Sequence, residues 1–287
     1  MQWRARREAF RALLNGNTCI HPASVFDPLS ARVAEHLGFE LGLLAGSTAS
    51  LTVLGAPDLI LLTATEFAQQ CQRINRAMNL PLLVDADHGY GNALNVARTI
   101  EELVTAGVAA ASIEDTNLPT PFAADQAPAL VSIEEGAGKM RAALAARPDP
   151  AFCVVGRTSA PTLSNIDDTV ARMRAYEQAG VDALFIVGLK SRAELAAVSE
   201  ATTLPLILGN AGGDLAGADL AAQRVRIALQ GHATIMAAVQ AVYDTMKALR
   251  EGVKPSALKN VASGELMKTL TRAAEYGAAA RDYLAGK

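Results

Sequence analysis

The chain has 287 residues, of which 51% are hydrophobic and 19% charged, and its formal net charge is −3. This balance excludes the basic surface that nucleic-acid-binding and anionic-membrane-binding proteins carry. No apolar stretch approaches the roughly 20 residues that cross a bilayer, and the basic N-terminal segment is not followed by the apolar core of a signal peptide. We therefore expect a soluble cytoplasmic protein without a nucleic-acid or membrane partner. The scattered cysteines, Cys19, Cys71 and Cys153, form no zinc or disulfide pattern, and we expect all three to be buried.

The first predicted element is a helix, because apolar residues from Trp3 to Leu14 recur at helical spacing. Eight short apolar runs then predict strands at Cys19–Phe26, Glu40–Ala45, Pro81–Asp85, Ala109–Glu114, Phe152–Arg157, Ala183–Val187, Pro205–Leu208 and Arg224–Leu229. Longer amphipathic runs between them predict helices at Glu66–Met78, Leu94–Ala106, Ile133–Ala146, Asp167–Ala179 and Ala193–Ser199.

The strand runs are continuously apolar, which is typical of parallel strands covered by helices on both faces. Two helices end alike, at Gly107 and Gly180, and an apolar strand follows each, as in a repeated βα unit. About eight such units predict a (β/α)8 TIM-type barrel over residues 1–250. The alternative, a doubly wound open sheet, would carry an early glycine-rich dinucleotide fingerprint, and none is present. The surplus helical sequence, 251–287, is a candidate oligomer contact.

Catalytic residues of such barrels lie at the carboxyl ends of the strands. The residues at those positions are mostly polar: Ser47, Asp85, Asp87, Glu114, Asp115, Arg157, Asn210 and His232. The strongest signal is DADHGYGN from Asp85 to Asn92, where two aspartates are separated by one residue and could address one ion. Clustered carboxylates without cysteine favour Mg²⁺ or Mn²⁺. The alternatives are an Asx-type turn here and, for Glu114 and Asp115, a buried salt bridge.

Two cationic or titratable groups face this cluster in the predicted barrel. Arg157 at the mouth needs an anion, which is a substrate carboxylate or, as a structural pair, Glu114. His232 follows strand eight and opens the next helix, across the mouth from Arg157 and Ser47. The roles of His21 and His88 stay open, and His36 is predicted to lie on the surface.

At these residues the sequence resembles the isocitrate lyase / phosphoenolpyruvate mutase superfamily. The resemblance spans nearly the whole chain through FDPLSARVAEHLGFE, Gly46-Ser47, Pro57-Asp58, DADHGYG, SIEDT, GRT and Gly231-His232-Ala233. It implies that Asp85 binds Mg²⁺ directly, with Asp58, Asp87 and Glu114 holding its waters. It also implies that Gly46, Ser47, Arg157 and His232 bind the substrate, and that the chain is a homotetramer with a C-terminal helix exchanged between barrels.

The implied reaction is a carboxy-lyase reaction, the decarboxylation of a small 2-oxo diacid (oxaloacetate to pyruvate and CO₂) through a metal-stabilised enolate. The superfamily's isocitrate lyases carry a catalytic cysteine in a loop after strand four, which here reads TNLPTPFAADQAPAL and has no cysteine, lysine or histidine. The alternatives are a carbon–carbon lyase on a 2-alkylmalate-type acid, a phosphonopyruvate-type hydrolase, and a catalytically degenerate metabolite-binding barrel. Leu208 departs from the pattern of the decarboxylating members, which carry a tyrosine there, and an apolar group at this position is expected to admit a bulkier 2-oxo acid.

Overall fold

The computed structural model describes residues 3–122 and 128–284, and its centre is one eight-stranded sheet. All neighbouring strands are parallel and follow one another in chain order. The strands are β1 (Ala23–Ser24), β2 (Gly42–Ala45), β3 (Leu82–Asp85), β4 (Ala110–Glu114), β5 (Cys153–Thr158), β6 (Ala183–Ile186), β7 (Leu206–Leu208) and β8 (Val225–Ala228).

The sheet closes between the first and last strands through Ile20. Its amide donates to the carbonyl of Arg226 over 2.9 Å, and its carbonyl accepts from the amide of Ala228 over 3.0 Å. This parallel bridge to β8 lies just before β1 and leaves no free edge at that level of the sheet. The predicted (β/α)8 barrel is therefore confirmed.

Helices alternate with the strands along the chain. They are α1 (Arg4–Asn15), α2 (Pro28–His36), α3 (Gly46–Ala49), α4 (Ala64–Ala77), α5 (Ala93–Thr105), α6 (Ile133–Ala146), α7 (Ala160–Leu163), α8 (Ile166–Ala179), α9 (Arg192–Glu200), α10 (Ala233–Arg250), α11 (Gly264–Leu270) and α12 (Ala273–Leu284). A π-helix, Ser50–Leu54, extends α3, and short 3₁₀ turns cover Gly213–Leu215 and Pro255–Ala257. Among the described helices, none combines the length and apolar character that crossing a membrane requires.

Successive residues of each strand alternate between two apolar layers, as the two-residue period of a strand requires. In β7, Leu206 and Leu208 belong to the layer between the barrel and its helices, whereas Ile207 belongs to the barrel interior. Phe10 and Leu14 of α1 join the interior layer, so the predicted N-terminal helix covers the bottom of the barrel. Cys71 and Cys153 are buried as expected, but Cys19 is only half-buried, which corrects that expectation.

The helix ends follow from local sequence. The hydroxyls of Thr63 and Ser191 accept from the amides of Glu66 and Glu194. The carboxylates of the two glutamates accept in return from the amides of Thr63 and Ser191, so each helix begins with a capping box. Gly107 has φ +86°, and a Cβ there would lie 2.6 Å from the Trp3 ring. Glycine is thus required both by the backbone and by the packing of α1.

The C-terminal helices differ from the rest in how little they bury. In α10 only Ile235 is buried, and α12 has no buried residue. The chain's exposed large apolar side chains concentrate here: Met236, Val239, Val242, Tyr243, Met246, Leu249, Val253, Val261, Leu266, Tyr276, Tyr283 and Leu284. Such a concentration of exposed apolar side chains is typical of an interface.

Candidate active site

The strand period brings the predicted polar residues into the barrel mouth. Leu83, Ala110 and Val155 lie in the interior layer, so the side chains two or four residues later on the same strands also face inward. Strand register then pairs Asp85 with Ser112 and Glu114 with Arg157. The hydroxyl of Ser112 donates to Oδ1 of Asp85 over 3.0 Å.

Arg157 joins two of the carboxylates. Its Nη1 donates to Oδ2 of Asp85, its Nη2 lies 3.3 Å from Oε2 of Glu114, and its guanidinium stacks 5.4 Å from the centre of the Phe185 ring. Burial acts to lower the pKa of Arg157, but attraction by Asp85 and Glu114 outweighs it and raises the pKa. The arginine is therefore a permanent cation, and the alternative of a pair with Glu114 is present together with a pair to Asp85.

Asp87 lies in the turn after β3, with φ at +48°. Its carboxylate packs against the backbone of Gly46 so closely that a Cβ on Gly46 would lie 2.2 Å from Oδ2. Only glycine at position 46 leaves room for this carboxylate. Gly46 and Asp87, which were both predicted to belong to the site, are thus in direct contact.

Burial and repulsion from Asp85 raise the pKa of three neighbouring carboxylates. Burial, followed by repulsion from Asp85, Glu114 and Asp58, raises the pKa of Asp87 well above its ordinary value. Burial and the neighbouring Asp85 also raise the pKa of Glu114, against the attraction of Arg157. Asp58 is exposed, yet partial desolvation and Asp85 raise its pKa as well. The structure therefore brings the four predicted carboxylates close enough to interact electrostatically.

This donor set fits a hard divalent cation. Four carboxylates face one guanidinium, so the mouth carries surplus negative charge that a bound cation would relieve. All the donors are oxygens, which Mg²⁺ prefers. Within residues 3–122 and 128–284, no three acidic, histidine or cysteine side chains are arranged to hold one ion together.

His232 faces the cluster from the start of α10 and has a partner that the sequence did not indicate. Its Nδ1 lies 2.8 Å from the hydroxyl of Ser24, and the hydroxyl of Thr234 donates to the carbonyl of Ser24 over 2.7 Å. Burial lowers the pKa of His232, although Asp85 and Asp58 act in the opposite direction. Ser24 was missed because a serine before FDP in the first strand carries no recognisable motif.

Other predicted residues have structural partners. Asp115 is fully buried and accepts from Tyr176 over 2.6 Å and from Arg172 over 3.0 Å, so it forms the buried salt bridge that was the alternative. Asn210 is exposed and accepts from the amide of Gly212 over 2.8 Å, as in an Asx turn. Ser47 is half-buried in the first turn of α3, beside Gly46.

The other three histidines and Leu208 differ in how far they are exposed. His36 is exposed, as predicted, and Nδ1 of His21 contacts the carbonyl of Ala228 over 2.8 Å. His88 is 3% exposed. Leu208 is 1% exposed and packs between the barrel and its helices. The expectation that Leu208 widens the substrate site is therefore wrong, because its side chain points away from the mouth.

Comparison with known proteins identifies the group to which this architecture belongs. Residues 10–250 match the sequence profile described as phosphoenolpyruvate phosphomutase. The chain belongs to the phosphoenolpyruvate mutase family. A relative from Bradyrhizobium diazoefficiens, named oxaloacetate decarboxylase, is 57% identical over 288 residues, which is 100% of both chains.

Solved structures of the same superfamily share the fold over nearly their whole length. A phosphonopyruvate hydrolase in complex with oxalate and Mg²⁺ has a TM-score of 0.85 at 30% identity, covering 98% of this chain and 99% of that one. A 2,3-dimethylmalate lyase has a TM-score of 0.84 at 28% identity, covering 96% of this chain and 95% of that one. These similarities confirm the superfamily that the sequence motifs indicated.

Proposed function

We propose that this protein catalyses the Mg²⁺-dependent decarboxylation of oxaloacetate to pyruvate and CO₂. The observation that carries the proposal is the full-length 57% identity to a relative named oxaloacetate decarboxylase. The carboxylate cluster around Arg157 at the barrel mouth supports it independently, since a degenerate barrel would gain nothing from buried carboxylates that repel one another.

Asp85 would hold Mg²⁺ directly, and Asp58, Asp87 and Glu114 would hold its waters. When bound, Mg²⁺ supplies a Lewis acid for the negative charge that develops on the keto oxygen as the C3–C4 bond breaks. Arg157 fixes Asp85 and Glu114 through its two terminal nitrogens, and its charge attracts the substrate's C1 carboxylate. The hydroxyl of Ser47, beside Gly46, supplies a further hydrogen bond to that carboxylate.

His232 would orient the carboxylate that leaves as CO₂. Because burial favours its neutral form, the imidazole holds this group without a full positive charge. A cation there would stabilise the charged ground state and oppose its conversion to neutral CO₂. The CO₂ takes no proton, and the enolate that remains would take one from solvent to become pyruvate. This agrees with the loop after β4, whose fifteen residues from Thr116 to Leu130 include no cysteine, histidine or lysine.

The test is an assay of CO₂ release and product identity on a panel of 2-oxo and 2-hydroxy diacids, with and without Mg²⁺. We expect oxaloacetate to give pyruvate only with metal. In Asp85→Asn we expect kcat/KM to fall about 100-fold or more, since the Lewis acid contributes several kcal/mol. Cleavage of a 2-alkylmalate or hydrolysis of phosphonopyruvate would instead support one of the superfamily's other reactions. Binding of oxalate without any turnover would support the degenerate barrel.

We further propose that residues 251–287 pack on a neighbouring subunit of a homotetramer. The support is the apolar surface of α10 to α12, which the barrel of the same chain leaves uncovered. Burying side chains of this size contributes about 1.5–3 kcal/mol each.

The free cysteines Cys19, Cys71 and Cys153 support a reducing, cytoplasmic location.

A further inference from the structure

The turn that follows β3 is held by three donors on three consecutive carbonyls. The amide of Glu114 in β4 donates to the carbonyl of Asp87 over 2.8 Å. The ammonium group of Lys139 in α6 donates to the carbonyl of His88 over 3.1 Å. The hydroxyl of Thr99 in α5 donates to the carbonyl of Gly89 over 3.0 Å. Three different elements therefore fix the backbone between Asp87 and Tyr90.

This backbone needs external support. Asp87 and Tyr90 have φ values of +48° and +64°, in the left-handed region that residues other than glycine seldom adopt. Such conformations cost free energy and persist when surrounding contacts determine them. The three donors supply those contacts, and the same stretch of backbone carries the Asp87 carboxylate that lies against Gly46.

Lys139 is the unusual donor of the three. It is 3% exposed and is the only buried lysine among the residues that the structure describes. Burying an ammonium group is costly unless it is paired. Its hydrogen-bond partner is one backbone carbonyl, and the carboxylates of Glu135, Asp115 and Glu114 add electrostatic attraction. The contact that justifies a lysine here is therefore the one to the turn.

We propose that Lys139 is a positioning residue that holds the Asp85–Asn92 turn in the conformation in which its carboxylates bind the divalent cation. The inference rests on the proposed function for the identity of the ion. The change in cation affinity that it predicts for loss of Lys139 is opposite in sign to a purely electrostatic effect. Removing a positive charge near Glu114 would by itself strengthen cation binding, whereas releasing the turn weakens it.

The test uses the full-length protein with Mn²⁺ as the probe, its free concentration read by electron paramagnetic resonance. In Lys139→Met we expect the Kd for Mn²⁺ to rise about tenfold. This is the lower end of the loss in metal affinity that usually follows removal of a group that orients a metal ligand. At saturating metal we expect kcat to stay within about twofold, because the chemistry is unchanged. Lys139→Arg, which keeps a charged donor, should restore most of the affinity.

Hydrogen exchange of the metal-free protein gives a second readout. In Lys139→Met, peptides covering residues 86–92 should exchange faster while peptides from β6 and β7 stay as in the unmodified protein. Thr99→Val, which removes a neighbouring donor of the same turn, should produce a smaller change of the same kind. Ser199→Ala, which removes a buried hydroxyl bonded to the carbonyl of Gln223 far from the turn, is the matched control.

Unchanged or tighter Mn²⁺ binding in Lys139→Met, or exchange that rises throughout the chain, would overturn the inference. If Lys139→Met does not fold, Lys139→Gln is compared with Lys139→Arg, and equal affinities would overturn it. A protein that binds Mn²⁺ but leaves oxaloacetate intact would refute the proposed function and leave this inference standing.

Discussion

The hydroxyl of Ser24 lies 2.8 Å from Nδ1 of His232, which joins the first strand of the barrel to the helix that follows the last. Because Nδ1 is engaged by Ser24, Nε2 is the ring nitrogen left to face a substrate. The two residues are 208 positions apart in the chain, and the closure of the barrel brings them together.

Ser24→Ala tests this orientation. Loss of one hydrogen bond of about 1 kcal/mol corresponds to about a fivefold fall in kcat/KM for oxaloacetate. The affinity for Mn²⁺ should not change, since Ser24 does not contact the carboxylates. Ser199→Ala serves as the control for removing a buried hydroxyl, and a kcat/KM equal to that of the control would contradict the role of Ser24.

Gly46→Ala tests the contact between Gly46 and Asp87. The added Cβ would lie 2.2 Å from a carboxylate oxygen and must displace it. We expect the Kd for Mn²⁺ to rise by about tenfold or more, as for other disturbances next to a metal ligand. Gly264→Ala is the matched control, because nothing lies within 4 Å of a Cβ at that position. Equal metal affinity in the two variants would show that Asp87 does not serve the ion.

His88 gives the folded protein a defined pH dependence. Burial, with repulsion from Lys139, lowers the pKa of His88 from 6.5 to about 4. Between these values the unfolded chain binds a proton that the folded protein does not, so the free energy of unfolding falls as the pH drops from 6.5 to about 4.

In His88→Gln, the fall in the free energy of unfolding on the acid side should be smaller by about 1–2 kcal/mol, after allowance for solvent screening. The measurement is urea unfolding of the metal-free protein at several pH values. His36→Gln, at an exposed histidine, should leave the pH profile unchanged. Parallel profiles for the two variants would exclude His88 as the titrating group.

Met246→Lys tests whether the apolar surface of α10, which precedes residues 251–287, belongs to the proposed subunit contact. Met246 is 66% exposed in this chain, so a lysine costs little within it, but in an interface it would bury a charge. We expect the tetramer mass measured by light scattering to fall to that of a smaller species. Gln240→Lys adds the same charge on α10, beside Asp244, with which Gln240 bonds over 2.9 Å. Dissociation by neither variant would place the interface elsewhere.

The sequence predicted the barrel because its signals are local. Continuous apolar runs and the glycines at 107 and 180 each act within a few residues, and they mark elements that the structure contains, although the first predicted strand, Cys19–Phe26, is reduced to Ala23–Ser24. The same logic placed Asp85, Glu114 and Arg157 at the strand ends, where strand register brings them together. The strand period alone does not account for Asp87, because its left-handed backbone lies in a turn.

What sequence reasoning missed depends on contacts between distant segments. Nothing in the local pattern marks Ser24 or Lys139. The partner of Ser24 follows β8, which is next to β1 in the closed barrel but distant along the chain, and the partner of Lys139 lies in a separate loop. Leu208 was misassigned because inward and outward positions differ by a single residue in a strand of three. The pairing of β7 with β6 and β8 is needed to decide which of its residues face the barrel interior.

The helix α1 sits at the opposite end of the barrel from the carboxylates, with Phe10 and Leu14 filling the floor. The side chains that fill the floor are therefore distinct from those that form the mouth. Substitutions in the floor could be selected for heat resistance while catalysis is left alone, and a fused partner attached near Arg4 would stand clear of the substrate's entrance.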